Sequence, residues 1–441
     1  MYRTPQALHV TVVGLSLLLG AGSLSRPAQA ETYYAALRSD NKGDCHAAQR
    51  DDTPIETIRQ GIGCLQKAGD TLYIREGTYH ESIDDTQVTI PSGTDWNTPV
   101  TIASYPGETA TLMGRVSIRE QKIAYVIFDR LTVDGGGSPE NRSQTFTVLQ
   151  FAFQSHLKFQ NGEIRNANDQ LITGGQGGDL HIVNNHIHGA YPFFDPNRWP
   201  QCKHLGCADP GGQGCPCTTG AYCFYFNAHD SFIEGNVIHD CSSWAFHQYW
   251  GGGNNIDNNV IQGNVFYNNA YDDGQRGSKG HDIIVAKGSN TRVYNNIIYG
   301  STSPLHEAAI VTKNRQDQIY NNTIYNVHGL GIYLYPGSQG TVVRNNIIYQ
   351  TSDTPILDQG SGTIYCPGEK PDCNVTGVDP RFVNASAADF RLQASSPAIQ
   401  AGVPMAGLTY TGASPDAGAL EAGSGVQPLP APRNLRLVTL P

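Results

Sequence analysis

Charge is scarce in this chain. Asp, Glu, Lys and Arg make up 15% of its 441 residues, and together they sum to −10 at pH 7. An acidic, thinly charged surface gives nucleic acid no electrostatic footing. It also disfavours a polyanionic substrate unless a groove is locally basic or holds a cation. After residue 30 no segment approaches the roughly twenty apolar residues of a membrane helix, so no span is expected in the mature chain. Paired C-x-x-C units, the usual spacing of structural zinc sites, are missing. Most of the chain also lacks the i, i+3, i+4 apolar stripe of an amphipathic helix. In its place stand short runs of Val, Ile, Tyr and Phe, punctuated by 49 Gly and many Asn.

What is present is a repeat. The pattern Asn-x-(Ile/Phe)-(His/Tyr) begins at Asn185, Asn236, Asn264, Asn296, Asn322 and Asn346, with a variant at Asn161. The spacings are 24 to 32 residues, apart from one interval of 51 that is close to two periods. A period in the twenties built from β-type runs predicts a solenoid of stacked β-coils, each unable to bury its apolar side alone. β-branched and aromatic residues favour strands on both sides of each Asn, as in Val293-Tyr294-Asn295-Asn296-Ile297-Ile298-Tyr299. Asn tolerates the left-handed backbone of a sharp bend. Equivalent Asn side chains in successive coils would lie about 4.8 Å apart and form an amide ladder.

The N-terminus reads as a signal peptide (1–30), with Arg3, an apolar run over 10–19 and an Ala28-Gln29-Ala30 cleavage site. This predicts a secreted or periplasmic protein. Ten cysteines in three even groups fit such an oxidising compartment. Cys45–Cys64 and Cys366–Cys373 are expected disulfides. The middle six, from Cys202 to Cys241, allow fifteen pairings by cysteine arithmetic.

The expected order along the chain is an N-terminal cap and first coils (31–115), then the coil stack (116–374) with a Cys-rich insertion at about 190–221. A C-terminal cap (375–423) and a Pro-rich tail or linker (424–441) follow. Thr53-Pro54-Ile55-Glu56 is a capping box that predicts a helix running to about Lys67, with Ile55, Ile58, Ile62 and Leu65 on its apolar face.

Two stretches carry a resemblance. The helix followed by Gly69-Asp70-Thr71-Leu72-Tyr73-Ile74-Arg75-Glu76-Gly77-Thr78-Tyr79 looks like the opening segment of secreted right-handed parallel β-helix proteins of the pectate-lyase-like superfamily. Asp379-Pro380-Arg381-Phe382-Val383, Asp389-Phe390-Arg391-Leu392 and Ser396-Pro397-Ala398-Ile399 resemble their usual ending. The likeness covers most of residues 32–423. It implies an all-β, right-handed parallel β-helix solenoid with a short N-terminal capping helix and a C-terminal cap. It does not assign a branch. Asp272-Asp273 and Gly280-His281-Asp282 echo the polygalacturonase-like glycosidases, but their Asn-Thr-Asp and Arg-Ile-Lys elements are missing. The Trp-Ile-Asp-His element of the main pectate lyases is missing too, as are the Asn-Glu and Arg-Ile-Gly elements of alginate and chondroitin lyases.

Enzymes of that superfamily work on one sheet face, so the repeat itself nominates a site. Counting back from the repeated Asn aligns strands beginning at Ala245, Asp282, Ala308 and Gly331. Strict alternation then makes outward neighbours of His247, Tyr249, Asp282, Tyr333 and Tyr335. It sets Trp244, His281 and Glu307 in one column and Trp250, Lys287 and Lys313 in another. A uronan lyase needs a base, a cation to neutralise the carboxylate, and aromatic rings to hold the sugar. Lys287 is the expected base and Lys313 the neutraliser, with His247 or His281 as alternative bases. Asp272, Asp273, Asp282 and Glu307 are expected oxygen ligands for Ca²⁺. Tyr249, Trp250, Tyr333 and Tyr335 are the sugar platform. Taken singly, each of these residues also suits a solvated turn or strand; their gathering in adjacent coils is what nominates them. The leading expectation is a monomeric polysaccharide lyase acting on a uronic-acid-containing glycan. The alternatives are a non-catalytic glycan-binding module and a glycoside hydrolase, for which Asp282 and Glu307 would be the acid pair.

Overall fold

The computed structural model describes residues 29–138, 147–191, 221–249, 252, 256–271, 280–366 and 373–423. The expected signal peptide (but for its last two residues), the expected tail beyond residue 423 and residues 192–220 of the insertion lie outside these. So do Cys202, Cys207, Cys215 and Cys217.

The chain winds into a parallel β-helix. One coil shows the pattern. Arg292–Tyr294 runs into a bend at Asn295 and Asn296, Ile297–Tyr299 follows, a second turn leads to His306–Thr312, and the next coil begins at Gln318–Tyr320. Stacking these coils makes three parallel ladders. The first contains Arg292–Tyr294, between Val260–Gln262 and Gln318–Tyr320. The second contains Ile297–Tyr299, between Val265–Tyr267 and Thr323–Val327. The third contains His306–Thr312, between Gly280–Val285 and Leu330–Leu334. Among the described strands only Phe382–Asn384 and Asp389–Leu392 pair antiparallel.

Identical inward positions in successive coils build the core. Ile261, Val293, Ile319 and Val343 form one column at 1% exposure or less. Phe128 stacks on Phe159 and Phe151 at 6.3 and 6.1 Å. Each such side chain contributes about 1.5–3 kcal/mol by leaving water.

The Asn ladder exists and is longer than the repeat predicted. Asn185, Asn236, Asn264, Asn296, Asn322, Asn346 and Asn374 form seven rungs, all buried. Each Nδ2 donates to the next Oδ1 at 3.0–3.1 Å. Each Nδ2 also donates to a main-chain carbonyl, such as Ile261 O from Asn296 at 2.9 Å. The left-handed angles fall on the residue before six of the seven rungs: Asn184, Gly235, Gly263, Asn295, Asn321 and Asn345 have φ of 51–66°. One residue of each pair bends the chain and the next satisfies the backbone groups that the bend exposes. Asn161 belongs to the bending class, with φ 56°, and the ladder ends where Gly162 N donates to Asn185 Oδ1.

The capping helix is shorter than predicted. It spans Ile58–Cys64, with Thr57 rather than Thr53 as its N-cap, accepting from Gln60 N. Ile55 is taken instead by bridges to Ala35 and Asn41. The predicted apolar face holds: Ile55, Ile58, Ile62 and Leu65 are all buried. Gly61 lets the helix lie directly on the first coil, because a Cβ there would meet Leu72 Cδ1 at 2.7 Å. The expected disulfides Cys45–Cys64 and Cys366–Cys373 are present, and of the middle group Cys223 pairs with Cys241. At the other end Phe382 and Phe390 pack with Ile297, Ile347 and Val375, so the C-terminal segment seals the flank of the second ladder. Among the described residues no helix is long and apolar enough to cross a membrane.

Candidate functional site

The third ladder presents an aromatic outer face. Tyr222–His229, Trp244–Gln248 and Gly280–Val285 stack so that Tyr222, Trp244 and His281 share one column and Tyr225, His247 and Ile284 the next. The latter column continues through Val311 and Tyr333. Tyr222 and Trp244 stack at 4.9 Å and 14°, Trp244 and His247 at 5.3 Å and 27°, and His247 and Tyr249 at 5.4 Å and 18°. Tyr225 meets His247 edge-on at 5.6 Å. This is one wall of rings with an imidazole inside it.

Three strand steps further along, about 14 Å at the usual spacing, Tyr333 and Tyr335 pack at 4.9 Å as a second pair. Lys313 caps that pair, its Nζ 4.0 Å from the Tyr335 ring. Between the two groups the face is apolar: Ile284, Ala308, Val311 and Leu330 form a small separate cluster with Trp244, Ala286 and Tyr333 against it. Tyr249, Tyr333 and Tyr335 of the expected sugar platform are therefore on one face with His247 and Lys313.

Burial governs the two histidines. His247 is pushed down to about 4, first by burial and then by the Lys313 charge. Among the described residues its Nδ1 is buried and has no hydrogen-bond partner. At neutral pH it is an uncharged imidazole. His281 is 7% exposed and held well below its ordinary value by burial, followed by the nearby His306, Lys313 and His247. Its Nε2 lies 3.7 Å from Glu307 Oε2.

Several sequence expectations change. Asp282 does not face outward. It is fully buried and accepts from Asn269 Nδ2 (2.9 Å) and Ser301 Oγ (3.0 Å), while its other oxygen meets His306 Nε2 (2.8 Å). Its carboxylate is used up inside the coil, so it is neither a Ca²⁺ ligand on the groove face nor half of an acid pair with Glu307. Lys287 is exposed in the turn after its strand, where its carbonyl accepts from Gln248 Nε2 and Asn314 Nδ2. It does not share a column with Lys313, because Val285 pairs with Thr312 and so places Lys313 beside Ala286. Nor does Glu307 share the column of Trp244 and His281; a register shift between Gly280 and His281 puts Ala308 there. Gly280 permits that shift, since a Cβ would lie 2.1 Å from Ser243 O. Trp250, Asp272 and Asp273 lie outside the described residues.

Two further polar clusters were not anticipated. On the first ladder Asp179 accepts from Trp96 Nε1 at 3.3 Å and meets His156 Nδ1 at 2.6 Å and His181 Nε2 at 2.8 Å. On the second, Glu163, His186, His188 and His239 gather. The signal was in the repeat: three of those histidines follow ladder asparagines, in Asn185-His186-Ile187-His188 and Asn236-Val237-Ile238-His239.

Comparison with known proteins agrees with this geometry. The family model for a right handed beta helix region matches residues 260–396. No curated protein sequence matches the chain. Among solved structures, pectate lyase Pel9A is similar with a TM-score of 0.55 and 15% identity, over 89% of this chain and 96% of that one. A rhamnogalacturonan lyase is similar at TM-score 0.45 and 14% identity, over 80% and 91%. The GH136 lacto-N-biosidase from Eubacterium ramulus is similar at 0.44 and 11%, over 79% and 68%. The first likeness, with the family match, establishes the fold and its hand: a right-handed parallel β-helix of the pectate-lyase-like kind.

Proposed function

We propose that this right-handed β-helix is an exported, carbohydrate-active protein that cleaves a uronic-acid-containing polysaccharide by β-elimination on the outer face of its third ladder. The observation that carries the reading is the aromatic wall Tyr222–Trp244–His247–Tyr249 with an uncharged imidazole inside it, and with Lys313 in the electrostatic reach of that imidazole. Rings stacked along a strand ladder suit the apolar faces of sugars. The three disulfides support export to an oxidising compartment.

In the proposed reaction His247 takes the proton on the carbon beside the uronate carboxylate. The electron pair forms the new ring double bond, and the glycosidic oxygen on the next carbon leaves with its pair. Lys313 faces the carboxylate and offsets the charge that builds there. Glu307 would help to hold a Ca²⁺ ion, which would supply further positive charge against that carboxylate.

The test incubates the full chain with pectate, alginate, chondroitin and neutral glycans, with Ca²⁺ and with chelator. Ultraviolet absorbance of unsaturated uronides is followed beside a reducing-end assay. Ultraviolet gain that drops on the order of a hundredfold in His247→Ala is the expected result. Reducing ends without ultraviolet gain would make the protein a hydrolase. Silence in both, with retention on a glycan column, would leave a binding module built on the same aromatic wall.

The pH profile is a separate prediction. A histidine with a depressed pKa keeps its basic form further into acid. Activity should therefore fall as pH drops through about 4, not through the ordinary histidine range near 6.5. An acid limb at the ordinary value would exclude His247 as the base.

A further inference from the structure

We infer that Glu163, His186, His188 and His239 form a binding site for one divalent transition-metal ion, zinc by ligand type, on the outer face of the second ladder. This site is independent of the third-ladder face and of the reaction proposed there.

The four residues come from three successive coils. Glu163–Asn168, His186–Tyr191 and Val237–Cys241 stack in register, placing Glu163 opposite His186, and Arg165, His188 and His239 in the neighbouring column. One ligand atom each of Glu163, His186 and His188 lies within 4.8 Å of the others. A tetrahedral ion with bonds of about 2.0–2.2 Å holds its ligand atoms roughly 3.3 Å apart, so small side-chain rotations bring these three to an ion; His239, its Nε2 2.6 Å from His186 Nε2, is the neighbour that would complete the shell. All four are partly sheltered, with side chains 10–28% exposed.

Imidazole nitrogens and one carboxylate oxygen converge here. One oxygen, Glu163 Oε1, is approached by both His188 Nε2 (3.0 Å) and His186 Nδ1 (3.7 Å). His186 Nε2 faces His239 Nε2 at 2.6 Å. Asp240 Oδ2 sits 2.8 Å from His239 Nδ1. With the ring proton held on that nitrogen, Nε2 presents its lone pair to His186. A cation placed among these atoms satisfies the converging nitrogens and the shared oxygen together.

The surroundings follow the pattern of metal sites, whose ligands are oriented by a second layer of partners. Asp240 fixes the His239 tautomer. Arg165 Nη1 holds Glu163 Oε2 at 2.9 Å, and Asp134 pairs with Arg165 Nε at 2.8 Å, cancelling its charge. The chemistry of the set, three imidazoles and one carboxylate, is that of zinc and its neighbours rather than of Ca²⁺, which prefers oxygen. The ion would tie together three successive coils, beside the Cys223–Cys241 disulfide.

The experiment uses the full chain without a histidine tag, stripped with chelator and dialysed. It is titrated with Zn²⁺ by calorimetry and with Co²⁺ by visible absorption. Uptake of about one equivalent is expected, with a tetrahedral Co²⁺ spectrum and a rise in melting temperature on adding Zn²⁺. His186→Ala and His188→Ala should abolish the Co²⁺ spectrum, and Asp240→Asn should weaken binding about tenfold. His181→Ala, in the separate first-ladder cluster, should bind as the parent does. Far-ultraviolet circular dichroism checks that each variant is folded. No stoichiometric uptake by the parent, or uptake that survives His186→Ala and His188→Ala in folded protein, would overturn the site.

Discussion

Replacing Asn296 by Ala is expected to lower the stability of the protein by about 4 kcal/mol, more than any exposed substitution. Asn296 sits at the centre of the ladder. Its Oδ1 accepts from both the backbone N and the Nδ2 of Asn264, each at 3.0 Å. Its Nδ2 donates to Ile261 O at 2.9 Å and Asn322 Oδ1 at 3.0 Å. Alanine removes one acceptor and one donor at a site with no solvent exposure. Two donors of Asn264 and one carbonyl then lose their partner in a dry interior, at about 1–3 kcal/mol for each group left unsatisfied. Position matters. At the first rung, among the described residues, Asn185 Oδ1 accepts Gly162 N alone from the preceding coil and Nδ2 donates to Phe159 O, so Asn185→Ala should cost about two thirds as much by the same reckoning. Asn97→Ala, on the exposed surface, should stay within about 0.5 kcal/mol. Urea unfolding followed by circular dichroism measures all three. Equal midpoints for Asn296→Ala and Asn97→Ala would mean that the ladder is decoration and that apolar packing alone holds the coils.

The ladder was legible in the sequence because its chemistry leaves few alternatives: a buried amide at a fixed place in every coil must be Asn. Asn374 escaped because Asn374-Val375-Thr376-Gly377 has Thr and Gly where the other copies have Ile or Phe and then His or Tyr. The groove face was legible in part. His247, Tyr249, Tyr333 and Tyr335 point outward as alternation predicts. Asp282 does not, because alternation breaks where the third ladder turns its corner. Ala245 and Phe246, Asp282 and Ile283, and Ala309 and Ile310 are consecutive buried pairs. The lysine columns failed for a different reason. Val285, Thr312 and Leu334 stand in one column, yet they precede Asn296, Asn322 and Asn346 by 296 − 285 = 11, 322 − 312 = 10 and 346 − 334 = 12 residues. Turns of unequal length spoil a count made from the ladder, and a slip of one residue reassigns a side chain's neighbours. The histidines of the second ladder were visible in the repeat but were read only as part of its pattern. Their meeting depends on Glu163, contributed by the coil before Asn185.

Asp282→Ala should cost about 3–5 kcal/mol, whereas Asp282→Asn should cost under about 1.5 kcal/mol and leave glycan turnover unchanged. The contrast follows from the protons. Both ring nitrogens of His306 face oxygen: Nδ1 lies 2.6 Å from His328 O and Nε2 lies 2.8 Å from Asp282 Oδ2. Neither side chain is exposed to solvent. A proton is therefore held between the carboxyl group and the ring, and Oδ1 is occupied by Asn269 and Ser301. Alanine leaves His306 Nε2, Asn269 Nδ2 and Ser301 Oγ facing an empty, dry space. Breaking one side of such a buried pair typically costs several kcal/mol. Asparagine preserves every contact. Its carbonyl oxygen accepts from Asn269 and Ser301, and its amide donates to His306 Nε2, provided the ring keeps its single proton on Nδ1 for His328 O. Replacing a buried charged pair by a neutral one of the same shape is often close to neutral. Urea midpoints and the ultraviolet lyase assay on both variants make the measurement. Folded Asp282→Asn protein without turnover would return Asp282 to the reacting centre. An Asn variant as unstable as the Ala variant would mean that the charge, and not the hydrogen-bond pattern, is what the coil requires at this position.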